Sequence, residues 1–167
     1  MDAMESILSR RSIRKYTGET ISEDTVTELL KAAMSAPSAH NGQPWSFVVI
    51  TERKILDAVP GFHPYASMLK SAPLAVAVCG DSKMDPLFWE QDCSAATENI
   101  LLASHALGLG AVWLAIHPYE ERIKPIRQML NLPDNIIPLC LVSIGHPNEQ
   151  KPPAQRYDQA RIHHNAW

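Results

Sequence analysis

Hydrophobic positions along this chain recur in two rhythms, and proline or glycine marks most of the changes between them. After Ser22, the residues Val26, Leu29, Leu30, Ala33 and Met34 follow the i, i+3, i+4, i+7, i+8 spacing of a single helix face. Ser22 suits the cap, and Glu23 and Asp24 suit the positive end of the helix dipole, so a helix ending at Pro37 is expected. A shorter helix precedes it, capped by Asp2, with Met4, Ile7 and Leu8 on one face. Phe47–Thr51, Leu74–Cys79, Ala111–Ile116 and Ile137–Ile144 are apolar runs of strand length. Arg53–Val59 reads as a short helix, Gly61–Tyr65 as a mobile loop, and Met68 as the centre of a helical turn ahead of Pro73.

Asp85–Leu107 is the longest expected helix, with Phe88, Ala95, Ala96, Asn99, Leu102, Ala103 and Ala106 facing inward. Small residues dominate that face, which predicts close approach by another helix, including one from a second subunit. Tyr119–Leu130 is a further helix, and Leu132–Asn135 turns the chain into the last strand. From His146 the pattern fades into proline and polar residues. Residues 146–167 hold too little apolar surface to offset their ordering entropy alone. Tyr157, Ile162 and Trp167 within that stretch predict a tail wrapped on a partner subunit. Strands and helices alternate, so the fold class is α/β or α+β.

Composition narrows the setting. With 167 residues the chain predicts one domain, residues 1–167, able to bury about two thirds of its unfolded surface. A formal net charge of -3 disfavours a phosphate-tracking nucleic-acid surface. The three cysteines, Cys79, Cys93 and Cys140, are widely spaced and odd in number, which suits a reducing compartment without structural disulfides. Asp2 and Glu5 stand where a signal peptide would be basic, and no apolar run could cross a bilayer. A cytoplasmic protein with no membrane partner is expected.

Against that acidic total, Arg10-Arg11-Ser12-Ile13-Arg14-Lys15-Tyr16 is strongly basic. In an extended segment Arg10, Ser12 and Arg14 share one face, which would set guanidinium forks beside a hydroxyl as a clamp for a phosphorylated ligand. The second chemistry-bearing stretch, Pro37–Trp45, is a polar loop. Known nucleotide, metal and hydrolase motifs are missing. Gly108 and Gly110 lack the third glycine of a dinucleotide fingerprint, and no P-loop, H-E-x-x-H or G-x-S-x-G occurs. His163 and His164 are adjacent without companion ligands, so no metal site is expected. Cys93 reads as a buried small hydrophobe, and Asp92 and Asn99 as bracing groups.

The basic run, followed by Ala36-Pro37-Ser38-x-x-Asn41-x-Gln43-Pro44-Trp45-x-Phe47, resembles the nitroreductase family of FMN-dependent oxidoreductases. Asp92-x-x-Ala95-Ala96-x-x-Asn99-x-Leu101-Leu102-Ala103, Gly108-Leu109-Gly110-x-x-Trp113 and Gly145-His146-Pro147 resemble it too, in order across nearly the whole chain. The resemblance implies an α+β fold, a central mostly antiparallel sheet flanked by helices, in an intertwined homodimer whose tail embraces the partner. It implies FMN as cofactor. Arg10, Arg11 and Ser12 would hold the phosphate and ribityl chain, Arg14 would lie by the pyrimidine side of the ring, and Arg156 would add a second phosphate-binding cation. Pro37, Ser38, Ala39 and Asn41 would come from the other subunit, with Gln43 either touching the flavin or bracing the loop. Backbone groups of Trp113, Leu114 and Ala115 would run along the flavin edge.

The activity implied is hydride transfer from NAD(P)H to nitroaromatics, quinones or similar electron-poor small molecules, by ping-pong chemistry in one shared pocket. No catalytic side chain is required, with Arg14 as an electrostatic stabiliser of charge developing on the ring. Two alternatives stand beside this: a flavin-binding protein for storage or sensing, and a specialised flavin reaction such as reductive dehalogenation. The short stretch between Val59 and Leu74 predicts an open pocket. Ala154 stands where a further basic residue would help at the phosphate, and Lys151 is either a compensating cation or a surface charge.

Overall fold

The computed structural model describes every residue, Met1–Trp167. Its centre is a four-stranded, fully antiparallel sheet in the order β1-β2-β4-β3, formed by Trp45–Ile50 (β1), Leu74–Asp81 (β2), Gly110–Ala115 (β3) and Ile136–Gly145 (β4). The helices are Ala3–Ser9 (α1), Glu23–Met34 (α2), Arg53–Ala58 (α3), Trp89–Ala106 (α4) and Glu120–Leu130 (α5). This is the α+β arrangement expected. Both faces of the sheet are covered, which is why β2 reads as an unbroken apolar run rather than an alternating one.

Alternation along β2 divides its side chains between two cores. Ala75, Ala77 and Cys79 join Leu56, Leu69, Ile116, Ile126 and Leu141 beneath α3 and α5. Leu74, Val76 and Val78 join Leu29, Ala33, Ala96, Ile100, Val142 and Ile144 beneath α2 and α4. Burial of each large aliphatic side chain contributes about 1.5–3 kcal/mol, so these two layers dominate the fold's stability.

Caps form where the sequence placed them. Asp2 accepts from Glu5 N at 2.9 Å, and Ser22 accepts from Thr25 N at 3.2 Å. Two expectations need correction. The long helix begins at Trp89, not Asp85. The Asp81 side chain accepts from the backbones of Lys83 and Met84, and Asp85 accepts from Leu87 and Phe88, so these acids hold successive turns before the helix starts.

The inward face of α4 is also different. Trp89, Cys93, Ala96, Thr97, Ile100, Leu101 and Ser104 are buried, whereas Phe88 and Ala106 are exposed and Ala95, Asn99, Leu102 and Ala103 are half-buried. A helix apolar around most of its girth gives little indication of which stripe meets the sheet. Residues 62–65 form a loop, in which Pro64 and Tyr65 are exposed. Val59–Gly61 forms a 3-10 turn, and His63 is buried, bound to Ala115. No helix is long and apolar enough to cross a membrane.

Candidate functional site

The basic run leaves α1 and crosses the free edge of β3, where Ser12 forms a parallel bridge with Ala111 and Ile13 N donates to Ala111 O at 3.0 Å. Tyr16 anchors the far end. Its hydroxyl donates to Ile13 O at 2.8 Å and to Ser143 O at 3.1 Å, and burial pushes its pKa up to about 12. Between these anchors the side chains part. Arg10 turns towards α4, its Nε 3.4 Å from Glu98 Oε1. Arg11 turns towards the tail and donates to Pro152 O. Ser12 is half-buried, and the exposed Arg14 side chain has no hydrogen bond or ion pair.

Arg10 and Arg156 line one groove of about 480 Å³, together with Ile7, Leu8 and Tyr157. Residues from opposite ends of the sequence therefore bring two guanidinium groups to one concavity with an apolar flank. The Glu98 carboxylate pairs with Arg10 from the Nε side, at 3.4 Å, which leaves the two terminal nitrogens of the fork without a partner. Arg156 is exposed and makes no ion pair.

Beyond the run, the edge of β3 stays open. Ala111 O faces outward to Ile13, and antiparallel alternation turns the N–H and C=O of Trp113 and Ala115 the same way. The N–H and C=O of Leu114 point instead into the ladder with β4. Ala115 O is already taken, by His63 Nε2 at 3.0 Å and Arg122 NH1 at 2.9 Å.

The second candidate stretch forms a tight loop with a 3-10 turn at Ala39–Asn41. His40, Asn41 and Gln43 all have positive φ, at 53°, 55° and 51°. For side chains other than asparagine that conformation costs about 1–2 kcal/mol per residue, so the surroundings must enforce it. They do so through the buried Asp92 carboxylate, which accepts from Ala39 N at 3.1 and 3.2 Å, and through Ser38 Oγ, which accepts from Gln43 N at 3.1 Å. Gln43 Nε2 donates to Asn41 Oδ1 at 2.8 Å, so within this chain it braces the loop. Pro37 is exposed, Ser38 and Ala39 half-buried.

Within one chain the structure does not join this loop to the basic run by any hydrogen bond or ion pair. Both are tied to α4: the loop through Asp92, the run through Glu98, about 9 Å further along the helix at 1.5 Å per residue. Asn99, expected as a brace, donates to Ala32 O at 2.9 Å and locks α4 to α2.

Several contacts were not expected from the sequence. Glu149 accepts from Arg14 N at 2.6 Å, and Lys151 donates to Ser12 O at 2.7 Å, so Lys151 is not a free surface charge. Ser9 Oγ lies 2.7 Å from His105 Nε2. Arg122 is buried, stacks 4.0 Å over the Tyr119 ring, and has no carboxylate partner. The tail beyond residue 151 lies exposed, with Tyr157 80% and Trp167 101% accessible.

Comparison with known proteins places this geometry in context. A sequence model described as the nitroreductase family matches residues 7–62 and 63–146. A candidate NADH dehydrogenase/NAD(P)H nitroreductase of Methanothermobacter thermautotrophicus is 44% identical over 169 residues, covering 100% of this chain and 88% of the relative. A crystal structure of a protein given the same description, from Parabacteroides distasonis, superimposes with a TM-score of 0.97 at 42% identity, covering 99% of this chain and 98% of that one. An FMN-dependent nitroreductase from Clostridium difficile gives a TM-score of 0.92 at 29% identity, with 98% and 99% covered.

Proposed function

This chain belongs to the nitroreductase family and is an oxidoreductase dependent on FMN and NAD(P)H; we propose that it works as a homodimer, with FMN held at the basic run and nitroaromatic, quinone or similar electron-poor molecules as acceptors. The observation that supports the site assignment is the shared groove of Arg10 and Arg156, in which Arg156 has no ion pair and Arg10 keeps its terminal nitrogens free, on a run that continues to the open edge of β3. That donor set suits FMN. Arg10 and Arg156 would hold the phosphate, the Ser12 region the ribityl chain, and the outward N–H of Trp113 an edge of the ring. Arg11 would contribute through its backbone, since its guanidinium is engaged with Pro152.

Bound FMN would supply the hydride and electron transfer that no side chain here can perform. The residues of the chain bind and tune it. Arg14, with no partner for its guanidinium, would stabilise negative charge developing at the pyrimidine end. NAD(P)H and acceptor would use the same open face in turn, a ping-pong order. The Pro37–Gln43 loop would serve the site of the other subunit, which is supported by its separation from Arg10 along α4. Exposure of Met4, Ile7, Leu8 and Leu107 and of the tail supports a partner surface that the tail crosses.

The test is the visible spectrum of the purified protein, before and after anaerobic NADPH. A flavin band that bleaches, and returns when a quinone is added, is the expected result. A band that persists would mean flavin storage or sensing, and a colourless protein with no affinity for FMN would overturn the assignment.

A further inference from the structure

The extended segment from Ser12 to Arg14 has two hydrogen-bonding edges. Ile13 uses one of them on Ala111 of β3. The other edge presents Ser12 C=O and Arg14 N–H, where no neighbouring strand exists. Backbone groups in such a position ordinarily pair or turn to water, and a segment left half-bonded is mobile. Here two side chains from the start of the tail fill the place of that strand. Lys151 Nζ donates to Ser12 O at 2.7 Å, and Glu149 Oε1 accepts from Arg14 N at 2.6 Å. The same Glu149 oxygen lies 3.0 Å from Lys151 Nζ, which closes the arrangement into a clip. Asn148 N donating to Lys15 O at 2.8 Å, and Thr17 N to His146 O at 3.0 Å, extend the seam.

We propose that Glu149 and Lys151 are positioning residues for the flavin site: they fix the Ser12–Arg14 backbone and so aim Arg10, Ser12 and Arg14, without touching the cofactor. This rests on the reading of the basic run as the FMN clamp. It also decides between two roles for Lys151. An ammonium has three donors and one charge. In Lys151 two donors are committed, to Ser12 O and to Glu149, and the charge is paired, so it is poorly disposed to grip a phosphate directly. The carboxyl of Glu149 is held below its ordinary range, first by the Arg14 N–H bond and further by Lys151, so the clip is closed at neutral pH.

The two roles separate in a titration of FMN and of riboflavin, which lacks the phosphate, against the full chain freed of bound flavin. Acting through the backbone, Lys151→Met and Glu149→Ala each weaken both flavins by the same factor, about tenfold for a charge-assisted bond, and the FMN-to-riboflavin ratio stays at its wild-type value. The double variant is no weaker than either single one, because the pair acts as a unit. Glu149→Gln, which keeps an acceptor for Arg14 N, recovers most of the affinity. Three outcomes overturn the inference: unchanged binding in the variants, loss of FMN affinity with riboflavin binding intact, or a thermal midpoint of the flavin-free protein that falls as far as binding does. Should the wild-type chain bind neither flavin, the FMN reading itself fails and this inference with it; wild-type binding with indifferent variants sinks the inference alone.

Discussion

Gly110 and Ile13 are in contact so close that no side chain fits between them: a Cβ built on Gly110 would stand 2.6 Å from Ile13 Cγ2 and 2.7 Å from Ile13 Cβ. Gly110 opens β3, and Ile13 is the pivot of the basic run, so the sheet meets the clamp where neither can give. Gly110→Ala must displace the Ile13 backbone or the start of the strand. The expected result is a loss of about 1–3 kcal/mol in a urea titration, the range for overpacking. FMN affinity falls alongside, because Ser12 and Arg14 flank the displaced residue. Unaltered flavin binding in a destabilised variant would separate the strand from the clamp.

Removing the guanidinium groups themselves should have the opposite balance. Arg10 makes one contact of 3.4 Å with the half-exposed Glu98, and exposed or partly exposed pairs contribute about 0–1 kcal/mol. Arg14 is free. The double variant Arg10→Ala, Arg14→Ala is therefore expected to fold and assemble as the wild type does, yet to purify without colour. Tight FMN binding by that variant would refute the clamp.

How much of this was legible in the sequence depended on the range of the interaction. The helix at Glu23–Met34 was readable because its cap, its acidic first turn and its apolar face all lie within a dozen residues. The start of α4 was not, since Asp81 and Asp85 hold turns with side chains that also suit helix caps. The basic run and the Pro37–Gln43 loop stood out by residue type and by resemblance. Asp92 was readable as a brace, but what it braces was not, nor was any role for Glu149 or the backbone bond of Lys151: these groups act from 53 to 139 positions away, over which charge pattern carries no information.

The tail offers a third test. Tyr157, Ile162 and Trp167 are exposed in the single chain, and each would bury apolar surface worth about 1.5–3 kcal/mol if laid on a partner, part of which ordering the tail offsets. Deleting residues 157–167 is expected to raise the monomer–dimer dissociation constant by about tenfold or more, measured by sedimentation equilibrium. A truncated chain that dimerises as well as the full one would leave the tail without that role.

Cysteine chemistry should be silent in the native protein. Cys79, Cys93 and Cys140 are free and buried, and burial pushes each thiol up to about 12. At pH 8 the thiolate, which is the reactive form, is then about one part in ten thousand. A chromogenic thiol reagent is expected to find no fast-reacting group in the folded protein and all three in denaturant. A single rapid native thiol would show that one of these sites opens.

The last prediction concerns His63, buried against the edge of β3. Tyr65 N donates to its Nδ1 at 3.2 Å, so the ring proton sits on Nε2 and points at Ala115 O, 3.0 Å away. Arg122 donates to the same carbonyl, and the Tyr65 ring closes one side at 6.4 Å. Burial is the main reason the imidazole titrates below 6.5; the Arg122 cation adds to it, and the Ala115 bond opposes it. Above pH 6.5 the folded and unfolded chains both hold a neutral ring, and stability is complete. Below it the unfolded chain takes up a proton that the folded chain refuses, so stability declines as the pH falls from 6.5 through the folded value, by at most about 1.4 kcal/mol per pH unit for one group. Urea midpoints at pH 7.5, 6.5 and 5.5 should fall in that order of pH for the wild type. His63→Gln should start lower, having lost the fitted ring, but stay flatter across the same interval. Parallel declines in the two proteins would assign the acid sensitivity elsewhere.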